Sequence, residues 1–183
     1  SPLNSGPTFV TPSISVTTPY YAQTGLVCAS ARVPVTATIN TIPTAPTVTD
    51  GSRCGTGTVD LSASSANTIE WYDVSSGGSS LSSGANFTTP SISTTTPYYV
   101  QAVDANTCIS SRATATATIN TIPADPTTTD SIFCGPGSTS TLLASGGGIY
   151  WYDDASGTNQ VGTGGVWVTP TLSATTTFYA QSF

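Results

Sequence analysis

The chain has 183 residues, nine acidic side chains against three arginines (Arg32, Arg53, Arg112), no lysine, no histidine and a net charge of −6. That balance leaves no basic patch to release phosphate counterions, so nucleic acid is excluded as a partner and an anionic membrane surface is disfavoured. Without histidine neither a Ser-His-Asp nor a Cys-His catalytic set can form, and no apolar run is long enough to insert in a membrane.

From the N-terminus, Thr11-Pro12-Ser13-Ile14-Ser15 leads to Tyr20-Tyr21-Ala22-Gln23, then Cys28, then the alternating series Val33, Val35, Ala37, Ile39. The same words return as Thr89-Pro90-Ser91-Ile92-Ser93, Tyr98-Tyr99-Val100-Gln101, Cys108 and Ala113, Ala115, Ala117, Ile119. Trp71-Tyr72-Asp73 recurs as Trp151-Tyr152-Asp153, and Cys54-Gly55 as Cys134-Gly135, each 80 residues on. The period divides the chain into the C-terminal part of one module (1–42), a complete module (43–122) and the N-terminal part of a third (123–183). Both ends, and the absence of a leader, suggest material cut from something longer or completed by a neighbour.

Seven strands are expected in the complete module: 46–49, 58–63, 68–72, a short edge strand near Leu81, 86–88, 97–103 and 113–119. The turn at Gly77-Gly78 and the spacing of the others mark a two-sheet arrangement, and no segment has helical periodicity. In 97–103 the alternation puts Tyr99, or else Tyr98, inward. In the last strand the alanines and Ile119 alternate with Thr114, Thr116 and Thr118, giving one buried and one wet face. Short strands, a core Trp71 and a cysteine pair define the expected fold: all-β, tandem Ig-like β-sandwich modules of about 80 residues. Two prolines in each of 40–46 and 120–126 favour semi-rigid links.

Cys54 and Cys108 are the expected disulfide of the complete module, enclosing about 55 residues and contributing roughly 4 kcal/mol by the chain-entropy model. Paired cysteines and the absence of a CxxC motif imply an oxidising compartment, the periplasm or outside the cell, and the cell surface is the expected location. Cys28 and Cys134 lack partners of the right class, and two readings stay open. Adjoining modules of a longer array supply the partners, or Cys134 of one chain bonds Cys28 of the next in a head-to-tail filament, although the terminal part-modules overlap rather than tile.

The series Cys54-Gly55, Trp71-Tyr72-Asp73, Phe87-Thr88-Thr89-Pro90-Ser91-Ile92-Ser93, Tyr98-Tyr99-Val100, Asp104-Ala105-Asn106, Cys108 and Ser110-Ser111-Arg112 resembles the Bacteroidota Ig-like repeat module of type IX secretion and gliding-type surface adhesins. The resemblance implies a secreted stalk or adhesin and brings no catalytic residues. Asp130-Ser131-Ile132 is similar to the Bacteroidota O-glycosylation pattern, which makes Ser131 a candidate glycan carrier.

Other chemistry is thinly supplied. Asp153 and Asp154 are adjacent and point to opposite faces if they lie on a strand. Asp104 and Asn106 offer two side-chain oxygens where calcium needs six to eight, so an Asx-type turn is the expected use and neither metal nor cofactor is expected. The absence of lysine excludes a Lys–Asn isopeptide staple. Tyr72, Tyr98, Tyr152 and Trp167 would form a platform for surface glycans if they face outward. The expected function is a structural and adhesive repeat region of an extracellular surface protein. Its partners are neighbouring modules of the same or an identical chain. The alternative is a set of carbohydrate-binding accessory modules of a secreted polysaccharide-degrading enzyme.

Overall fold

The computed structural model describes residues 3–25 and 27–183; residues 1, 2 and 26 of the expected 1–42 part-module lie outside that description. Two compact units divide the chain, Ser1–Asn120 and Thr121–Phe183, with the boundary at the start of the second Pro-bearing link.

Unit 1 opens with an antiparallel pair, β1 (Thr18–Ala22) and β2 (Val33–Ala37), in the register Thr18↔Ala37 to Ala22↔Val33. The alternating apolar residues of β2 form a face, but Val33 and Val35 are 64% and 61% exposed. The complete module follows: β3 (Thr47–Thr49), β4 (Gly51–Cys54), β5 (Asp60–Ser64), β6 (Thr68–Tyr72), β7 (Ser82–Ser83), β8 (Asn86–Thr88), β9 (Thr96–Val103) and β10 (Ala113–Asn120). One sheet has the order β3-β5-β8 and the other β4-β10-β9-β6-β7. Every pairing is antiparallel except β4 with β10.

The seven expected strands are present, together with β4, which sequence patterning does not show. β4 has no alternation of its own and is fixed by tertiary contacts. Its neighbour Asp50 accepts a hydrogen bond at Oδ1 from the Thr116 amide of β10 (2.8 Å), and a side chain at Gly51 would meet the Asp60 carbonyl oxygen at 2.2 Å.

The core lies between the two sheets. Trp71 on β6 is wholly buried and stacks on Phe87 of β8 in the opposite sheet (5.3 Å between ring centres), and Phe87 meets Tyr98 of β9 edge-on at 5.1 Å. Tyr98 is thus the inward tyrosine and Tyr99 faces out. Leu61 on β5 and Val100 on β9, both fully buried, stand on the strands that carry the inter-sheet disulfide in antibody domains. Ala115 and Ala117 complete the floor, and their small side chains bring β10 close to the opposite sheet.

Unit 2 repeats the plan with β11 (Thr127–Thr129), β12 (Thr141–Ser145), β13 (Ile149–Tyr152), β14 (Gln160–Thr163), β15 (Val166–Val168) and β16 (Tyr179–Ser182). Its sheets, β11-β12-β15 and β14-β13-β16, match β3-β5-β8 and β7-β6-β9. Trp151, Trp167 and Phe178 reproduce the aromatic bridge at 5.7 and 4.9 Å.

The recurring Thr-Pro pair also has a structural task. Thr89 and Thr169 are buried; each accepts at Oγ1 the amide of Val59 or Ser140 (3.0 and 2.9 Å) and donates to the following proline's carbonyl. Thr89→Val strands the Val59 amide without a partner and should destabilise unit 1 by about 1–3 kcal/mol, and Thr169→Val should act equally on unit 2. Calorimetry of the two variants should each time lower one transition and leave the other in place.

Candidate functional site

Cysteine placement follows from strand register. Cys54 ends β4 level with Asn120, the last residue of β10. Cys108 lies in the β9–β10 turn, next to the Val103↔Ile109 bridge. The eight-residue β10 separates the two levels by at least ~23 Å at about 3.3 Å per residue, whereas a disulfide needs Cα atoms within about 7 Å. The expected Cys54–Cys108 bridge is therefore corrected: the two stand at opposite ends of one module, and none of the four cysteines is bonded to another within the chain. The reason is topological. Both belong to one module in sequence, but β10 runs the full height of the sandwich between them. Cys28, in the β1–β2 turn, belongs to the Cys108 class, and Cys134, ahead of β12, to the Cys54 class. A Cys134–Cys28 bond within one shared module meets the same obstacle.

The most connected polar cluster lies on the outer face of β6, β9 and β10. The Tyr72 hydroxyl donates to Glu70 Oε2 (2.7 Å), and Gln101 Nε2 donates to Glu70 Oε2 (3.1 Å) and to the Tyr72 oxygen (2.9 Å). Arg112 donates from Nε to Gln101 Oε1 (3.2 Å) and from its terminal nitrogens to the carbonyls of Val74 and Gly77, and its guanidinium carbon sits 3.5 Å from the Tyr72 ring centre. Arg32 repeats the contact, donating to Gln23 Oε1 (2.9 Å). A pair that recurs with the strand motif fastens neighbouring strands. It has no general acid or base poised over a cleft. Burial, and next the Glu70 hydrogen bond, push the Tyr72 hydroxyl above its ordinary value.

The other candidates resolve into turns. Asp104 Oδ1 accepts the amides of Asn106 (2.9 Å) and Cys108 (2.8 Å), the Asx-type turn expected there, and holds Thr107 at φ 63°. Asp154 accepts the Ser156 hydroxyl first, then the amides of Thr158 (3.1 Å) and Asn159 (2.7 Å), which hold its carboxyl well below the usual range. Asp153 accepts from the Asn159 side chain (2.7 Å). Among the described residues no three potential ligands cluster for a metal.

Of the aromatic candidates, Tyr72, Tyr98 and Tyr152 are buried, and Trp167 packs between Trp151 and Phe178. Tyr72 lies on the outer face but beneath the Arg112 guanidinium, so these four residues form no open platform. Ser131 is exposed, in a segment that forms no strand, at the position Gly51 occupies in the complete module.

Two facing sheets joined through a buried tryptophan, with β4 running parallel to the last strand β10, make this an Ig-like β-sandwich protein. The family model described as "Ig-like domain CHU_C associated" matches residues 43–120 and 123–183, and the chain belongs to that family, which is associated with Bacteroidota type IX secretion. No curated protein matches. Among solved structures, the titin Z1Z2 domains in complex with telethonin align at 17% identity, over 79% of this chain and 85% of that one, with a TM-score of 0.32. A chimeric titin Z1Z2 carrying an exogenous peptide from decorin aligns at 17% over 78% and 85%, also at 0.32.

A tyrosine whose folded-state pKa is raised contributes stability that is complete below its ordinary value near 10 and is lost as pH climbs through the raised value. Arg112 opposes the rise. Arg112→Met should push Tyr72 further up and cost about 1–3 kcal/mol at neutral pH through the lost cation–π contact and hydrogen bonds. Urea unfolding at neutral and alkaline pH, with ultraviolet titration of the tyrosines, reads both effects.

Proposed function

We propose that the chain is a structural repeat region of an extracellular bacterial surface protein, which sets distance and multiplies weak contacts. The observation that carries this reading is the recurrence of one sandwich at 80-residue spacing, each copy held by an aromatic bridge through its core and carrying a Ser/Thr-rich exterior. A series of similar beads works by spacing and valency, and short Pro-bearing links limit how freely consecutive beads swing. The burial of Tyr72, Tyr98 and Tyr152 and the packing of Trp167 weigh against the carbohydrate-binding alternative, which needs an open aromatic platform.

Family membership supports a location outside the cell, and the cysteine usage fits it. Each module presents one cysteine class at either end. In the mature surface protein the Cys54 class of one module bonds the Cys108 class of another, since neither reaches its counterpart at home.

The test is protease shaving of intact cells that make the parent protein, with non-reducing peptide mapping of what is released. Release of these sequences without lysis, joined through one cysteine of each class from different modules, is the expected result. Fragments that appear only after lysis would remove the extracellular reading. Cysteines found reduced in the released material would remove the inter-module bonds alone.

A further inference from the structure

We propose that the Asp125–Pro126 peptide bond, at the start of unit 2, is a built-in scission site that the Asp125 carboxyl opens in acid. The inference concerns the covalent chain and holds wherever the protein resides.

The sequence supplies half of the argument. Of the 13 prolines, Pro126 alone follows an aspartate. The links Asn40-Thr41-Ile42-Pro43-Thr44-Ala45-Pro46 and Asn120-Thr121-Ile122-Pro123-Ala124-Asp125-Pro126 are otherwise close copies, so Asp125 stands where the first link has Ala45. The nitrogen of an X–Pro bond belongs to a tertiary amide. It is more basic than an ordinary peptide nitrogen, and once protonated it leaves more readily.

The fold supplies the other half. Residues 121–126 form no strand, and pairing resumes at Thr127 in β11. Asp125 is exposed, and its carboxyl accepts no hydrogen bond and forms no ion pair among the described residues. Ala45 is exposed in the same way, so the position is open in the complete module too. Most other carboxyls are engaged. Asp50, Asp60, Glu70, Asp104, Asp153 and Asp154 all accept hydrogen bonds, and none of them precedes a proline. The chain on either side of Asp125 is held. The Ser182 hydroxyl donates to the Ala124 carbonyl, and a side-chain carbon at Gly146 would meet Pro126 Cα at 3.6 Å. Neither Ser182 nor Gly146 titrates, so these contacts bring no charge to the reacting carboxyl.

The reaction needs only a proton and water from the solvent. An Asp125 side-chain oxygen attacks the main-chain carbonyl carbon of the same residue. As the carbon–nitrogen bond breaks a cyclic anhydride forms, and the Pro126 nitrogen keeps the electron pair and takes the proton. Water then opens the anhydride, which leaves Asp125 with two carboxyl groups and Pro126 as a free secondary amine. One water is consumed, and nothing is oxidised or reduced. Nucleophile and carbonyl sit in one residue, so the attack is intramolecular and outruns hydrolysis by solvent. The Ala45–Pro46 bond has the same leaving group and no nucleophile. The cut falls beyond Asn120, the last residue of unit 1, and ahead of β11, so both units keep every strand. The two links are thus chemically unequal: acid parts the second and spares the first.

The experiment is intact-mass spectrometry of the 183-residue chain held in acidic formate buffer, with and without urea, beside a neutral control. Two fragments, 1–125 and 126–183, are expected in acid and none at neutrality. Because the link is open in the folded chain, their rate of appearance should be the same with and without urea. Asp125→Ala, which copies the first link, should lose both fragments. Ala45→Asp should gain a cut after residue 45. An Asp125→Ala chain that splits at the same bond would overturn the proposal. So would an Ala45→Asp chain whose first link stays whole, or scission that requires urea.

Discussion

The sandwich depends on one aromatic bridge between its sheets. In the complete module Trp71, Phe87 and Tyr98 run from one sheet to the other and back, and in unit 2 Trp151, Trp167 and Phe178 do the same. Even the N-terminal pair keeps part of it, with Phe9 edge-on to Tyr20 at 5.3 Å. The indole nitrogen anchors the tryptophan end. Trp71 donates to the Gly84 carbonyl and Trp151 to that of Gly164, each at 2.9 Å, which pins the turn leading into the opposite sheet. Aromatic contacts of this kind add to the large area the rings remove from water. The bridge gives each module its cohesion, joined in the complete module by the buried Leu61 and Val100.

Much of this was legible in the sequence. Alternation placed β5, β6, β8, β9 and β10, because a strand with one wet and one dry face writes its geometry in a period of two. The repeat period identified Trp71 and Trp151 as core residues. β4 was hidden because what fixes it is not local: a parallel ladder to a strand over sixty residues away, the Asp50 hydrogen bond and the close approach at Gly51. The choice between Tyr98 and Tyr99 was open for a related reason, since only the position of Phe87 across the core decides it.

The cysteines show where sequence reasoning fails for a physical cause. Co-occurrence in one module suggested a bond, but sequence carries no measure of which end of a strand a residue occupies. Once the β4–β10 ladder puts Cys54 level with Asn120 and the β9–β10 turn takes Cys108 to the other end, the same two residues become end markers. The turn-forming roles of Asp104 and Asp154 likewise needed the amides they accept, which no spacing rule supplies. The Thr-Pro words at Thr89 and Thr169 are buried hydroxyl caps, a task that only the amides they meet reveal.

A bead held by its own internal bridge should yield as one piece. Pulling single molecules of a tandem array of residues 43–122 in reducing buffer measures that mechanical autonomy. The prediction is a train of similar force peaks, each releasing one module of about 80 residues, roughly 27 nm of extended chain. A smooth extension without peaks, or releases that bear no relation to the module length, would contradict it.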